Sequence, residues 1–192
     1  VPRPSPRVAV VVGSTRPQRI CEVIARWTLG VAELGGALAY ELVDLALVDL
    51  PFLDEPRMPA LGGYAHEHTK QWSALVQSFD AYVFVFPQYN WGYPAVLKNA
   101  LDFLYTEWRA KPAGLVTYGT RGGARAATQL RSVLEGLHMH PLAHQVELVI
   151  ADADVDDMGQ LLDPEATLAP FIASVRALDA ELIDVLLDRA IP

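Results

Sequence analysis

The sequence predicts an α/β protein: a five-stranded parallel sheet in the order 2-1-3-4-5, with helices on both faces. Strand and helix patterns alternate five times along 192 residues, which implies right-handed crossovers onto a parallel sheet. The clearest strand patterns are continuous apolar runs, as expected for strands covered on both faces. The chemically distinctive loops follow the first, third and fourth strands, and the order 2-1-3-4-5 brings those loops together, with strands one and three side by side at the switch point.

Arg7 to Val12 is the first buried strand, followed by Gly13-Ser14-Thr15-Arg16-Pro17-Gln18-Arg19 and a helix from about Ile20 to Leu34. Leu38 to Val43 is a shorter strand. Asp44 to Gly63 is long and Pro-rich, a kind of loop that is uncommon inside a domain and often functional. A helix over His66 to Ser78 leads into the central strand, Tyr82 to Phe86, which ends at Pro87. After the loop Pro87 to Tyr93, Pro94 stands at the expected first helical position, and Leu97, Ala100, Leu101 and Leu104 form one apolar face. Ala113 to Thr117 is the fourth strand, ending in Tyr118-Gly119-Thr120-Arg121-Gly122-Gly123. A helix over Ala124 to Leu137 and a fifth strand over Leu142 to Ile150 come next. A closing helix spans Ala166 to Arg189, with Leu168, Phe171, Ile172, Val175, Leu178, Leu182, Val185 and Leu186 as its stripe.

Composition narrows the functional classes. With 52% hydrophobic residues and no linker or repeat, the chain reads as one domain over 1–192, with the first six residues flexible. A formal charge of -8 argues against nucleic acid, so any anionic ligand must be met by local arginines. No apolar run approaches a membrane span and the start lacks a signal-peptide core, so a cytoplasmic protein is expected. Cys21 is the only cysteine, which excludes an intrachain disulfide. No metal site is expected. His66 and His68 would face different ways on a helix, and Asp152 to Asp157 imitates a calcium loop but has Asp157 where the sixth-position glycine belongs. His138 and His140 read as capping or exposed residues at a helix end.

The three loops carry the functional argument. The first offers two hydroxyls, two arginines and the N–H groups of a helix start, which suit a phosphate, although an N-capped helix with exposed arginines would look the same. The second holds Gln88, Tyr89, Asn90, Trp91 and Gly92 and no Cys, His, Asp, Glu, Ser or Lys, a set for holding a flat molecule by backbone and stacking. The third has glycines that let backbone approach a ligand. A mononucleotide with a large aromatic head satisfies all three, and FMN fits best. A G-x-G-x-x-G dinucleotide fingerprint is missing after the first strand.

These motifs resemble the NAD(P)H-dependent FMN reductase family of flavodoxin-like proteins, which includes quinone and azo reductases. The resemblance rests on Gly13 to Pro17, on Pro87 to Pro94 with Leu97 to Asp102, and on Tyr118-Gly119 through Gly122-Gly123, spanning roughly residues 7 to 140. It implies a flavodoxin-like fold and a ping-pong NAD(P)H oxidoreductase that passes hydride to N5 of bound FMN and then to free flavin, a quinone or an azo compound. No catalytic side chain is implied; Asn90, Trp91 and Gly92 position the ring. By the same resemblance Ser14, Arg16 and Arg19 bind the phosphate, Pro87, Gln88, Tyr89, Asn90, Trp91 and Gly92 line the isoalloxazine, and Tyr118, Gly119 and Gly122 close the third side. Arg121 could add charge near the N1 and O2 edge. A homodimer or homotetramer is implied too, with the helix of Leu97 to Trp108 and the loop around Pro56 to Tyr64 as interface candidates.

Gln18 and Thr120 stand where the family frequently has glycine, Gln88 where it has Glu, and Trp91 where it has a smaller residue or histidine. Trp91 either narrows the second-substrate pocket or is a rim or interface aromatic. Two other functions remain open from sequence: a flavodoxin-like electron carrier, and a flavin-free regulatory or interaction protein on the same fold.

Overall fold

The computed structural model describes residues 5–188. Residues 1–4 of the expected flexible start, and Arg189 of the expected closing helix, lie outside the described residues. Strands β1 (Arg7–Val12), β2 (Ala39–Asp44), β3 (Ala81–Pro87), β4 (Pro112–Gly119) and β5 (His140–Val149) form a sheet in the order β2-β1-β3-β4-β5. All four neighbouring pairs are parallel. This is the flavodoxin-like arrangement expected from sequence.

The helices between them are α1 (Cys21–Glu33), the short α2 (Leu45–Val48), α3 (Glu67–Gln77), α4 (Ala95–Asp102), α5 (Ala124–Gly136), α6 (Pro164–Leu168) and α7 (Ile172–Asp188). The period-2 geometry of the central strands sorts the side chains into two cores. Val8, Val10, Val12, Val83 and Val85 pack toward α1 and α7. Ala9, Val11, Tyr82, Phe84 and Phe86 face the opposite layer, with Trp72 of α3, Leu97 of α4 and Leu130 of α5. The face carrying Tyr82 and Phe84 takes rings, with Trp108 edge-on to Tyr82 at 5.1 Å between centroids.

Several boundaries differ from the sequence reading for local reasons. Pro94 is extended and precedes α4, whose first residue is Ala95. The helix expected to reach Trp108 stops at Asp102, and Thr106–Trp108 is a separate 3-10 turn. The closing helix is interrupted by the 3-10 turn Ala169–Phe171, because Pro170 has no N–H to continue the ladder. His140 opens β5 rather than ending the preceding helix, and His138 takes a left-handed φ of 59° just past it. His66 precedes α3 with extended backbone, so its ring stacks on that of His68 at 5.2 Å instead of facing away.

The long segment after β2 is pinned to the body. Asn99 of α4 accepts from Leu53 N–H at 3.0 Å and donates to Pro51 O at 2.7 Å. Glu55 accepts from the N–H groups of Ala65 and His66, at 2.8 and 3.0 Å. Tyr64 O–H donates to the buried Glu107 carboxylate at 2.9 Å.

Candidate functional site at the carboxyl ends of the strands

The loop after β1 begins with a forced approach to β3. Gly13 N–H donates to Val85 O at 2.8 Å, and a Cβ on Gly13 would lie 2.9 Å from that oxygen, so the position requires glycine. Ser14 is fully buried, with Oγ 2.8 Å from the Tyr89 hydroxyl, which joins the first loop to the central one. Arg16-Pro17-Gln18-Arg19 closes as a β-turn through Arg19 N–H to Arg16 O at 3.1 Å. Proline follows the first residue and Gln18 has φ 59°, the type II pattern that favours glycine where Gln18 stands. Gln160, far along the chain, donates to the Gln18 carbonyl at 2.5 Å.

The two arginines of this turn have different surroundings. Arg19 is inward, ion-paired with Asp44 and 3.8 Å from Glu22, and its Nε is buried without a partner. Asp44 also caps α2, accepting from Ala46 N–H at 2.9 Å. Arg16 is exposed and has no acidic partner among the described residues.

The central loop is a miniature hairpin. Tyr89 and Gly92 exchange backbone hydrogen bonds of 2.8 and 2.9 Å around Asn90 and Trp91, whose φ angles are 48° and 70°. Positive φ at both central residues is the type I′ pattern, for which Asn-Gly is preferred. A bulky residue in the glycine place costs about 1–3 kcal/mol. The Trp91 indole is 60% exposed, and the Arg125 guanidinium lies over it, 3.6 Å from the ring centroid. Such a contact contributes about 0.5–1 kcal/mol at an exposed site. Gln88 bridges to the next helix: its Oε1 accepts from Ala126 N–H at 3.2 Å in the first turn of α5.

The third loop presents backbone. Tyr118 is only 6% exposed and turns into the core cluster that also holds Cys21, whose thiol donates to Val85 O at 3.2 Å. Burial pushes the Cys21 thiol up to about 12, an inert core group. Gly119 to Gly123 bends sharply, with Gly122 N–H on Gly119 O at 3.1 Å and Thr117 Oγ1 donating to Gly122 O at 2.5 Å. Arg121 is exposed.

The first and central loops therefore meet through Ser14 and Tyr89, and the central and third loops through Gln88 N–H on Tyr118 O at 3.3 Å. A recess of about 150 Å³ opens between Gln88, Trp91, Arg121, Ala124 and Arg125. A larger groove of about 390 Å³ lies elsewhere, along β2 between Asp44, Leu47, His68 and Trp72. It is at the edge of the sheet and brings none of the three loops together. Sequence reasoning missed three residues that shape the site, Asp44, Arg125 and Gln160, and one, Asn99, that pins the segment after β2. Asn99 lies in a motif the sequence singled out; the other three depend on long-range approach. Among the described residues, no three His, Cys, Asp or Glu side chains are grouped to hold a metal ion.

The site's chemistry matches FMN on features of the structure itself. The phosphate end has Arg16, a cation with no acidic partner among the described residues, and an orphaned buried donor, Arg19 Nε. The ring end has the aromatic hairpin of Tyr89 to Gly92 and the sharp glycine bend of Gly119 to Gly123, joined to it by Gln88 N–H on Tyr118 O. Fold and site together define a flavin mononucleotide enzyme of flavodoxin-like architecture. The family model described as NADPH-dependent FMN reductase matches residues 6–152. An NAD(P)H-dependent FMN reductase of Schizosaccharomyces pombe is 45% identical over 137 residues, covering 70% of this chain and 68% of that protein. A quinone reductase of Pseudomonas putida is 32% identical over 166 residues, covering 81% and 84%. Among solved structures, the flavoenzyme NAD(P)H:(acceptor) oxidoreductase FerB from Paracoccus denitrificans superposes with a TM-score of 0.70 at 24% identity, over 92% of this chain and 97% of that one. The chain belongs to the NADPH-dependent FMN reductase family.

Proposed function

We propose that the protein moves two electrons from NAD(P)H to a small acceptor, a free flavin, a quinone or an azo compound, with donor and acceptor using one face of the site in turn. The observation that carries this reading is the joined set of three loops: unpaired cation, aromatic hairpin and backbone wall along one sheet edge. The names of relatives, FMN reductase, quinone reductase and azoreductase, support the acceptor classes.

FMN supplies hydride acceptance at its N5 and onward electron delivery; the protein supplies place and charge. Ser14 and Arg16 hold the phosphate, while Arg19, fixed by Asp44, sets the turn and offers its Nε–H. The backbone of Tyr89 to Gly92 would hold the flavin ring, with Asn90 and Trp91 positioning it. The backbone of Gly119 to Gly122 would close the remaining side of the site. The Tyr118 phenol takes no part in this scheme because its side chain is buried in the core. The exposed Phe52, Met58 and Leu61 on the segment pinned by Asn99 suit contact with a second copy of the chain in a homodimer or homotetramer.

Anaerobic stopped-flow mixing of FMN-loaded protein with NADH and NADPH tests the scheme. Rapid loss of the oxidised-flavin band with either donor is expected, and re-oxidation by a quinone added afterwards should proceed without a ternary complex. A flavin that stays oxidised with both donors would instead indicate an electron carrier.

A further inference from the structure

The recess beside the hairpin has a charge pattern that the scheme above does not use. The chain has 23 acidic and 15 basic residues, so an arginine should readily find a carboxylate. Yet neither Arg121 nor Arg125 is in an ion pair or side-chain hydrogen bond among the described residues. Glu147, which packs beside Gly122, takes the Gln145 amide at 2.6 Å rather than either guanidinium. Arg125 is nevertheless positioned: its guanidinium lies 3.6 Å over Trp91, whose place depends on the hairpin's two backbone hydrogen bonds. Stacking engages the face of a guanidinium and leaves its N–H edge available, the edge that binds an oxyanion through two parallel hydrogen bonds.

We propose that Arg121 and Arg125, with Trp91, form a subsite for an anionic group on an aromatic substrate of the reductase. The recess holds about 150 Å³. That is about half the volume at which pockets for whole drug-sized molecules begin, so it takes a single phosphate, sulfonate or carboxylate while the attached ring stays outside near the indole. The exposed indole supplies a stacking surface for that ring. Two sources carry such a group: the 2′-phosphate of NADPH, and an acceptor such as a sulfonated quinone. This subsite deepens the reductase reading and rests on it for the identity of the two sources. Its recognition chemistry is a binding property that can be measured separately.

Calorimetric titration of the FMN-loaded protein distinguishes the sources with two matched pairs. One pair is 2′,5′-ADP and 5′-AMP; the other is a naphthoquinone sulfonate and the uncharged naphthoquinone. The wild type should bind the charged member of at least one pair roughly tenfold more tightly, the scale of a charge-assisted contact. The pair that discriminates identifies the source. Arg125→Ala should remove most of that ratio, Arg121→Ala part of it, and Arg125→Lys should retain some, because charge survives without the stacked fork. Equal binding within both pairs in the wild type overturns the proposal, as does a ratio that survives replacement of both arginines by alanine. Discrimination in a protein whose flavin neither NADH nor NADPH reduces would leave the subsite standing and defeat only the reductase reading.

Discussion

Two polar clusters in this molecule are built on contrasting principles. In the segment that leads into β4, the Glu107 carboxylate is 8% exposed and surrounded by donors: Ser73 Oγ at 2.7 Å, Tyr64 O–H at 2.9 Å, Thr106 Oγ1 at 3.2 Å and Tyr105 N–H at 3.3 Å. At the carboxyl ends of β1, β3 and β4, by contrast, Arg16, Arg121 and Arg125 have no acidic partner among the described residues, and Gln18, Asn90 and Trp91 are held at positive φ. The first cluster spends its hydrogen-bonding capacity on the fold; the second leaves capacity unspent and accepts strain. That difference predicts that changes in the first will be read in stability and changes in the second in binding.

The largest effect is expected at Glu107. Glu107→Ala removes the shared acceptor of Tyr64 and Ser73, and should cost about 3 kcal/mol in urea denaturation, since breaking a buried charged hydrogen-bond set leaves its donors unpaired. The same residue sets an acid limit. Burial alone would push its carboxyl up, but the hydrogen bonds from Ser73, its own backbone, Tyr64 and Thr106 outweigh burial and hold it below the usual carboxylate range. A lowered folded value means that the unfolded chain takes up the proton first. Its contribution is therefore full above about pH 4.3, the ordinary glutamate value, and is lost as pH falls through the lower folded value. Glu107→Ala should flatten that portion of the stability profile; an unchanged slope below pH 4.3 would remove Glu107 as a source of acid sensitivity.

Arg16→Ala should show the reverse pattern. FMN affinity should fall by about ten- to a hundredfold, the worth of a charged hydrogen bond. Stability without FMN should move by no more than about 0.5 kcal/mol, because the side chain is exposed and unpaired. Unchanged affinity in a fluorescence titration would remove Arg16 from the phosphate site.

Trp91→Gly is a smaller test of the same contrast. It relieves about 1–3 kcal/mol of backbone strain. Against this it gives up the Arg125 contact, about 0.5–1 kcal/mol, and adds glycine's backbone entropy, of similar size. The variant should unfold at or slightly above the wild-type urea midpoint, although a large exposed aromatic has been deleted. A loss of more than about 1 kcal/mol would mean that the indole is held for stability after all.

The sheet was legible in the sequence because β1, β3 and β4 are uninterrupted apolar runs, and a run buried on both faces has few other solutions. The order 2-1-3-4-5 was that of a flavodoxin-like sheet, and it brings the three chemically distinctive loops together. The split between Arg16 and Arg19 was not legible, since it depends on Asp44 arriving from the end of β2. Nor was the burial of Tyr118 in the core, or the bond of Gln88 to α5, because a side chain at the end of a strand can turn toward the core or the ligand and the choice is made by packing. Arg125 was overlooked because its partner, Trp91, is reached across space rather than along a helix.

Gln18 gives the finest form of the comparison. It occupies the glycine-favouring position of the Arg16-Pro17-Gln18-Arg19 turn, and the carbonyl it presents accepts the Gln160 side chain at 2.5 Å. That hydrogen bond uses the backbone of Gln18 and not its side chain, so Gln18→Gly keeps it and removes the strain. A net gain of about 0.5–1 kcal/mol is expected, the strain relieved being partly offset by glycine's added freedom in the unfolded chain. Gln160→Ala should lose about 1 kcal/mol through the same bond. FMN affinity separates the two possible meanings of the strain. If Gln18→Gly gains stability at unchanged affinity, the turn is merely tolerated. If affinity falls while stability rises, the stiff turn is holding Arg16 in place for the phosphate.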